Sequence, residues 1–254
     1  MKKFTTIIMG AGIGKRMHSK TPKIIHKIHG KPIISFVIDK VKDINCPEVI
    51  IVVGKHRKLI EVELGRAVKY AYQPIPLGTG DAAKKGIAKA TYNKVLILNG
   101  DIPLISEKTI GSLISYCERE KADMAILTCV MKNPFGYGRV LRNGKNRISG
   151  IIEQTDATKA QQRIKEINVG AYYGSKKIIL TALREIKPQN KQGELYLTDI
   201  VKNLLEHNKI VVGFKTINEE EMMGINTRSE LARARRIIKK RCLKRSRTIE
   251  HDAG

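Results

Sequence analysis

Apolar and polar positions fall into two rhythms along the first half of the chain. Short apolar runs rich in β-branched residues cover Phe4 to Met9, Cys46 to Val53, Val68 to Gln73, Lys94 to Leu98 and Ala125 to Val130. Runs of that length and composition predict buried strands. Between them the apolar residues recur at helical spacing. Ile33, Ile34, Val37, Ile38 and Val41 place a stripe on a helix over Pro32 to Lys42. Further helices are predicted over Leu59 to Arg66, Asp81 to Ala90 and Ser106 to Ala122. This alternation predicts an α/β fold with a Rossmann-like, doubly wound, mostly parallel sheet.

The pattern changes after Val130. From Phe135 to about Lys177 the chain reads as shorter strands and turns, including Gly150 to Gln154 and Glu166 to Tyr172. Helices are predicted again over Lys176 to Arg184 and within Glu194 to His207, then a strand over Ile210 to Phe214. From Ser229 onward the chain is a basic helix. It carries ten Lys or Arg between Arg228 and Arg247 against one acid, Glu230. It is expected to be a solvated surface or linker, removable after Thr227 with nucleotide binding largely intact.

The turns carry the candidate chemistry. The first strand breaks into Gly10-Ala11-Gly12-Ile13-Gly14, followed by Lys15, Arg16, Lys20 and Lys23. Such a loop offers backbone N–H groups and fixed cations, which is what a triphosphate needs. The spacing is neither GxGxxG nor GxxxxGK[ST], so a dinucleotide site and a P-loop are not indicated. Gln73-Pro74-Ile75-Pro76-Leu77-Gly78-Thr79-Gly80 is a restricted turn that places Gly78 and Thr79 near a helix N-terminus, where N–H groups and a hydroxyl can meet a base edge or a sugar. Asp101 lies just past a strand end, where ligands sit in open parallel sheets. One carboxylate beside phosphates suits Mg²⁺, although a turn or N-cap role explains an aspartate there equally well. Glu153 and Asn168 end or interrupt short apolar runs; they are either ligands for a hydroxylated molecule or satisfied structural groups.

Composition narrows the classes. The chain has 254 residues, enough for one α/β domain with an appendage, and 42% hydrophobic residues, enough for a core. With no Trp, stacking a base on an indole is excluded. The formal charge is +24, from 48 basic and 24 acidic residues. That raises a nucleic-acid role. The lysines are dispersed, however, and no RNP, zinc-finger or homeodomain pattern accompanies them, so no dedicated nucleic-acid partner is expected. A basic surface steering anionic substrates is the plainer consequence. Cys46, Cys117, Cys129 and Cys242 are scattered, which fits a reducing cytoplasm rather than a metal cluster or disulfide framework. No run approaches a transmembrane length and the N-terminal run has no signal-peptide form, so no membrane partner is expected.

Met9-Gly10-Ala11-Gly12-Ile13-Gly14-Lys15-Arg16-Met17, then Thr21-Pro22-Lys23, then Gly30-Lys31-Pro32, resembles the signature of sugar-nucleotide pyrophosphorylases. Gly10 replaces the usual alanine and Lys15 the usual threonine. Leu77-Gly78-Thr79-Gly80, Gly100-Asp101, Gly136-Tyr137-Gly138-Arg139, Glu166-Ile167-Asn168, Gly193-Glu194, Tyr196-Leu197-Thr198-Asp199 and Gly224-Ile225-Asn226 continue the match in order. In combination, over about residues 4 to 236, they resemble the N-terminal uridylyltransferase domain of the bifunctional bacterial enzymes that make UDP-N-acetylglucosamine. Leu195 departs from an aromatic that is frequent there.

The resemblance implies a nucleotide-diphospho-sugar transferase fold with a small β-rich sugar-binding subregion. The nucleotidyltransferase domain would span 1–227, with a nucleotide part over about 1–130, a sugar part over about 131–227 and the basic helix over 228–254. It implies that UTP and N-acetylglucosamine 1-phosphate give UDP-N-acetylglucosamine and pyrophosphate, a cytoplasmic step feeding peptidoglycan and lipopolysaccharide. Arg16 and Lys23 would be catalytic; Ala11, Gly12, Gln73 and Gly78 would read uracil, Gln73 with both a donor and an acceptor. Asp101 and Asn226 would bind Mg²⁺, and Thr79, Gly138, Glu153 and Asn168 the sugar. No hexapeptide repeat of a left-handed β-helix is present, so the acetyltransferase activity of the bifunctional enzymes is not expected from this sequence, and a separate acetyltransferase is a candidate partner. A related nucleotidylyltransferase with another sugar phosphate or nucleotide, and an inactive basic binding protein, are the alternatives.

Overall fold

Every position of Glu48–Val53 is buried, and alternate residues go to opposite sides of the sheet. Ile51 and Val53 join Ile8, Leu96 and Leu98 in one apolar layer, while Ile50 and Val52 join Ile7, Val95 and Ile97 in the other. A sheet covered on both faces needs such continuous apolar strands. The computed structural model describes residues 3–12 and 14–252, without the side chains of Lys15 and residues 244–252. The replacement of threonine by Lys15 therefore lies outside the described side chains.

In chain order, β1 (Thr5–Met9) leads through 3-10 turns at Lys15–Met17 and Lys23–Ile25 to a small hairpin, β2 (Lys27–Ile28) and β3 (Lys31–Pro32). Next come α1 (Ile33–Asp43), β4 (Glu48–Val53), α2 (Arg57–Leu64), β5 (Lys69–Tyr72), α3 (Thr79–Ala88), β6 (Lys94–Asn99), α4 (Glu107–Arg119) and β7 (Met124–Val130). Then follow β8 (Arg139–Arg142), β9 (Ile148–Ile152), α5 (Lys159–Gln162), β10 (Glu166–Ser175), α6 (Lys176–Glu185), α7 (Asp199–Glu206), β11 (Val211–Thr216) and α8 (Arg228–Asp252). Ser106 caps α4, accepting from the Thr109 N–H.

The sheet runs β11-β7-β10-β6-β1-β4-β5, with β8 attached to β10 and β9 to β8. Its main path is parallel except around β10, which runs antiparallel to both β6 and β7, and the attached β8 and β9 pair antiparallel as well. This insertion places part of the second half in the middle of the sheet built by the first. β1 has its sequential partner β4 on one side and β6 on the other. The order of strands reverses there, opening a crevice beyond the carboxyl ends of β1 and β6.

α8 is not a free linker. Leu231, Ala234 and Ile238 are buried in a third apolar cluster with Met17, Ile28, Ile33, Leu104, Met223 and Ile225. Its arginines also serve backbone carbonyls: Arg228 donates to Met17 O at 3.2 Å and His18 O at 3.1 Å, Arg235 to Lys27 O at 2.8 Å, and Arg241 to Leu104 O at 2.8 Å. The expectation of a solvated surface is overturned for the buried face of its described part. The charge run hid an apolar stripe at helical spacing.

Candidate functional site

Hydrogen bonds between neighbouring strand ends bring the turns together. Gly10 N donates to Val52 O at 2.9 Å and Gly100 N to Met9 O at 3.0 Å, holding the glycine loop between the ends of β4 and β6. A cleft of about 520 Å³ opens there, lined by Ala11, Gly12, Lys23, Gln73, Gly78, Thr79 and Asp101, all given a role from the sequence, and by Asn99 and Glu194, which were given none.

The far wall is stitched to the segment before α7. Leu195 N donates to Leu77 O at 2.8 Å, Gly80 N to Leu195 O at 2.7 Å, and Leu197 N to Thr79 Oγ1 at 2.9 Å. Gly78 has φ +113°, and a Cβ there would lie 2.5 Å from Leu195 O. Glycine is required both by the backbone conformation and by the approach. Leu195 thus contributes through its backbone, and exchange of an aromatic side chain there leaves these bonds intact. The Thr79 hydroxyl accepts within the protein, so it retains its own proton for a ligand.

Gln73 departs from expectation. Its Nε2 donates to Gly78 O at 3.0 Å and to Asp81 Oδ2 at 3.0 Å. Both amide hydrogens are thereby used, and only the carbonyl oxygen of Gln73 remains for a ligand.

Lys23, Asp101 and Asn226 meet although they are far apart in sequence. The Lys23 ammonium donates to Asp101 Oδ2 and, at 2.8 Å, to Asn226 Oδ1. Ile225 N donates to Asp101 O at 2.8 Å, which fixes the approach of the two segments. Asn226 N and Thr227 N both donate to Glu230 Oε2, at 2.7 and 2.8 Å, and Glu230 N donates back to Thr227 Oγ1 at 3.2 Å. This is a capping box at the start of α8, readable in sequence as Thr227-x-x-Glu230 but not singled out there. Arg16 is exposed and does not line the cleft; its guanidinium lies beside Gly136, 3.9 Å from where a Cβ would stand. Tyr137, quoted in the sequence match but given no role there, accepts from Gly224 N at 3.1 Å. Burial raises its phenol pKa, Asp101 and Glu230 add to the rise, and the Gly224 bond and the Arg16 charge oppose it.

The remaining residues form a second group outside the cleft lining. Gly138 O accepts from Asn168 N at 2.9 Å, and a Cβ on Gly138 would lie 3.3 Å from Glu153 Oε2. Glu153 Oε1 accepts from the Thr198 hydroxyl at 3.0 Å. Burial pushes the Glu153 pKa above 4.5; the Thr198 bond opposes this, Asp199 and Asp156 add to it, and Arg139 opposes it. Asn168 is held by the chain itself, with Nδ2 donating to Tyr172 Oη at 2.7 Å and Oδ1 accepting from Gly170 N at 3.2 Å. Neighbouring residues of one segment join the two groups, since Leu197 bonds Thr79 and Thr198 bonds Glu153. Asn99 stands where they meet: Gly170 has φ +84°, and a Cβ there would fall 2.0 Å from Asn99 Nδ2.

Among the described residues no group of three or more His, Cys, Asp or Glu is placed to hold a metal. The side-chain oxygens of Asp101 and Asn226 converge, and both already face a cation, the Lys23 ammonium. A carboxylate and an amide oxygen are hard donors that suit a divalent cation sharing phosphate and water ligands. No described helix is long and apolar enough to cross a membrane.

Residues 6–166 match the family model described as a MobA-like NTP transferase domain. The chain is 40% identical over 245 residues to the bifunctional protein GlmU of Caldanaerobacter subterraneus subsp. tengcongensis, covering 95% of this chain and 53% of that protein. It spans about half the length of the curated relatives it matches. Among solved structures, a UDP-glucose pyrophosphorylase complexed with UDP-glucose superposes with a TM-score of 0.73 at 18% identity, covering 95% of this chain and 100% of that one. The inositol-1-phosphate CTP transferase of T. maritima does so with 0.72 at 17%, covering 93% and 95%. These two likenesses bear on the fold, which is the mixed, mostly parallel α/β sheet anticipated from the sequence.

Proposed function

The chain belongs to the MobA-like NTP transferase family and is a nucleotidyltransferase, and on that premise we propose that it transfers uridylyl from UTP to N-acetylglucosamine 1-phosphate. The observation that carries this reading is the convergence of Lys23, Asp101 and Asn226 at the mouth of a glycine-walled crevice. The 40% identity to GlmU supports the choice of substrates.

In this reading an oxygen of the sugar phosphate attacks the α-phosphorus of UTP. The bond to the bridging oxygen of pyrophosphate breaks, and pyrophosphate leaves with the electron pair. No protein nucleophile is needed, and catalysis consists of positioning and charge stabilisation. The backbone of Ala11 and Gly12 cradles the nucleotide. Lys23 and Arg16 offset negative charge on the phosphates. Thr79 donates its hydroxyl to the sugar nucleotide, and Gly138, Glu153 and Asn168 take the amino sugar. Asp101 and Asn226 would hold Mg²⁺, which when bound would offset phosphate charge.

The test is pyrophosphate release from UTP with N-acetylglucosamine 1-phosphate, with and without Mg²⁺, for wild type and Asp101→Ala. Release should require both substrates and the metal, and should fall by roughly a hundred- to a thousandfold in the variant, the size typical of losing one preorganised charge contact. Release that ignores the sugar phosphate, or survives in Asp101→Ala, overturns the reading.

A further inference from the structure

Gln73 and Asp81 are 4% and 7% exposed, so their contact is shielded from water. Asp81 lies in the first turn of α3, and its Oδ2 accepts from Gln73 Nε2 at 3.0 Å while Gly78 O accepts from the same nitrogen at 3.0 Å. A peptide carbonyl and an ionised carboxylate are acceptors only. Turning the Gln73 amide over would set Oε1 against both oxygens and strand two acceptors. The amide is therefore locked, and the group it leaves for the cleft that Gln73 lines is the carbonyl oxygen.

We propose that Asp81 sets the choice of nucleobase by locking Gln73 with its carbonyl oxygen toward the cleft, so that the site takes a pyrimidine with an N3–H and rejects one with an N3 lone pair. Uracil and thymine carry that N–H. Cytosine places a lone pair where Oε1 already presents one, and its N3 cannot accept from the Nε2 hydrogens because they are committed to Gly78 O and Asp81 Oδ2. Asp81 is a positioning residue in this scheme and touches the base only through Gln73. The inference rests on the reading that the cleft holds the nucleotide and that Gln73 meets its base. It does not depend on which sugar phosphate is used.

The experiment is calorimetric binding of UTP and of CTP, each with Mg²⁺ and no sugar phosphate, to wild type, Asp81→Ala, Asp81→Asn and Gln73→Ala. Wild type should bind UTP roughly a hundredfold tighter than CTP, the range expected when a matched hydrogen bond becomes an unmatched pair of acceptors. Asp81→Ala leaves only Gly78 O to hold the amide, and the ratio should fall by about tenfold, mostly through stronger CTP binding. Asp81→Asn still offers an oxygen to Nε2 and should restore most of the ratio. A purely structural role for Asp81 would weaken both nucleotides alike and leave the ratio unchanged; that outcome in a folded Asp81→Ala protein overturns the inference alone. If Asp81→Ala does not fold, Gln73→Ala decides, because a wild-type ratio retained without the amide equally overturns it. Equal binding of UTP and CTP to wild type overturns it as well. Binding of neither nucleotide would overturn it together with the proposed reaction.

Discussion

Ala11, Gly12 and Gly78 meet the cleft on loops at strand ends, as backbone and small residues, and Lys23 reaches in from the same short stretch of chain as Ala11 and Gly12. Glu153 and Asn168 are instead drawn into the protein, one bonded to Thr198 and the other to Tyr172 and Gly170. The first group is specified locally, by turn chemistry at neighbouring strand ends. The second exists only once β8, β9 and β10 have packed against the segment before α7. The first is open and needs bracing from outside; the second is braced by its own side chains and bears the electrostatic cost of burial. Tests that separate bracing from chemistry should therefore act differently on the two.

The largest effect is expected from removing the brace. Leu231 is 6% exposed and seals the cluster of Met17 and Ile28 beneath the loop that carries Arg16 and Lys23. Leu231→Ala should cost about 2–4 kcal/mol, seen as a fall in Tm of roughly 5–15 °C. UTP affinity should fall further than sugar-phosphate affinity in the folded fraction. Truncation after Thr227 should remove nucleotide binding altogether. A truncated protein that binds UTP as wild type does would show that the loop braces itself.

A smaller effect is expected on the sugar side. Glu153→Gln keeps an oxygen for Thr198 but removes the charge, and the KM for the sugar phosphate should rise by roughly ten- to a hundredfold, with UTP binding unchanged. The pH profile sharpens this. Because the folded pKa of Glu153 lies above 4.5, protonation favours the folded state. Its stability contribution is complete below 4.5 and is lost as pH rises through the raised value. Binding moves the other way: the carboxylate that grips the sugar disappears as pH falls through that same value. Wild-type KM should therefore climb on acidification at a pH above the ordinary glutamate range, and Glu153→Gln should lose that dependence. A flat wild-type profile would remove Glu153 from sugar binding.

The same contrast explains what could be read from the chain. The parallel strands and the helices between them follow from apolar periodicity, and the glycine loop, Lys23 and Asp101 stand where a strand end meets a turn. β10 is buried at nearly every position, which announces a central strand but says nothing of its direction. Its antiparallel course between β6 and β7 is decided by the chain's route through β8 and β9. α8 misled because arginines outnumber the apolar residues of its stripe, and neither Arg228 nor Arg235 shows in sequence that it will serve a carbonyl more than 200 positions earlier. The donor and acceptor of Gln73 looked equivalent because only the packed Gly78 carbonyl and Asp81 carboxylate distinguish them.

The smallest effect expected is at the joint between brace and chemistry. Glu230 accepts from Asn226 N and Thr227 N, so it both caps α8 and fixes the backbone that presents Asn226 Oδ1 to Lys23. Losing such a cap costs about 1 kcal/mol, which Glu230→Ala should show as a modest drop in Tm. Were capping all that Glu230 does, kinetics at saturating Mg²⁺ and at limiting Mg²⁺ would change alike. If it also positions Asn226, the Mg²⁺ concentration for half-maximal pyrophosphate release should rise by up to about tenfold, as when a group supporting a metal ligand is removed, while the KM for the sugar phosphate stays put. Glu230→Gln retains an accepting oxygen and should recover most of both losses. A stability loss with no change in metal requirement would confine Glu230 to the helix end and leave Asn226 to be positioned by Ile225 and Asp101 alone.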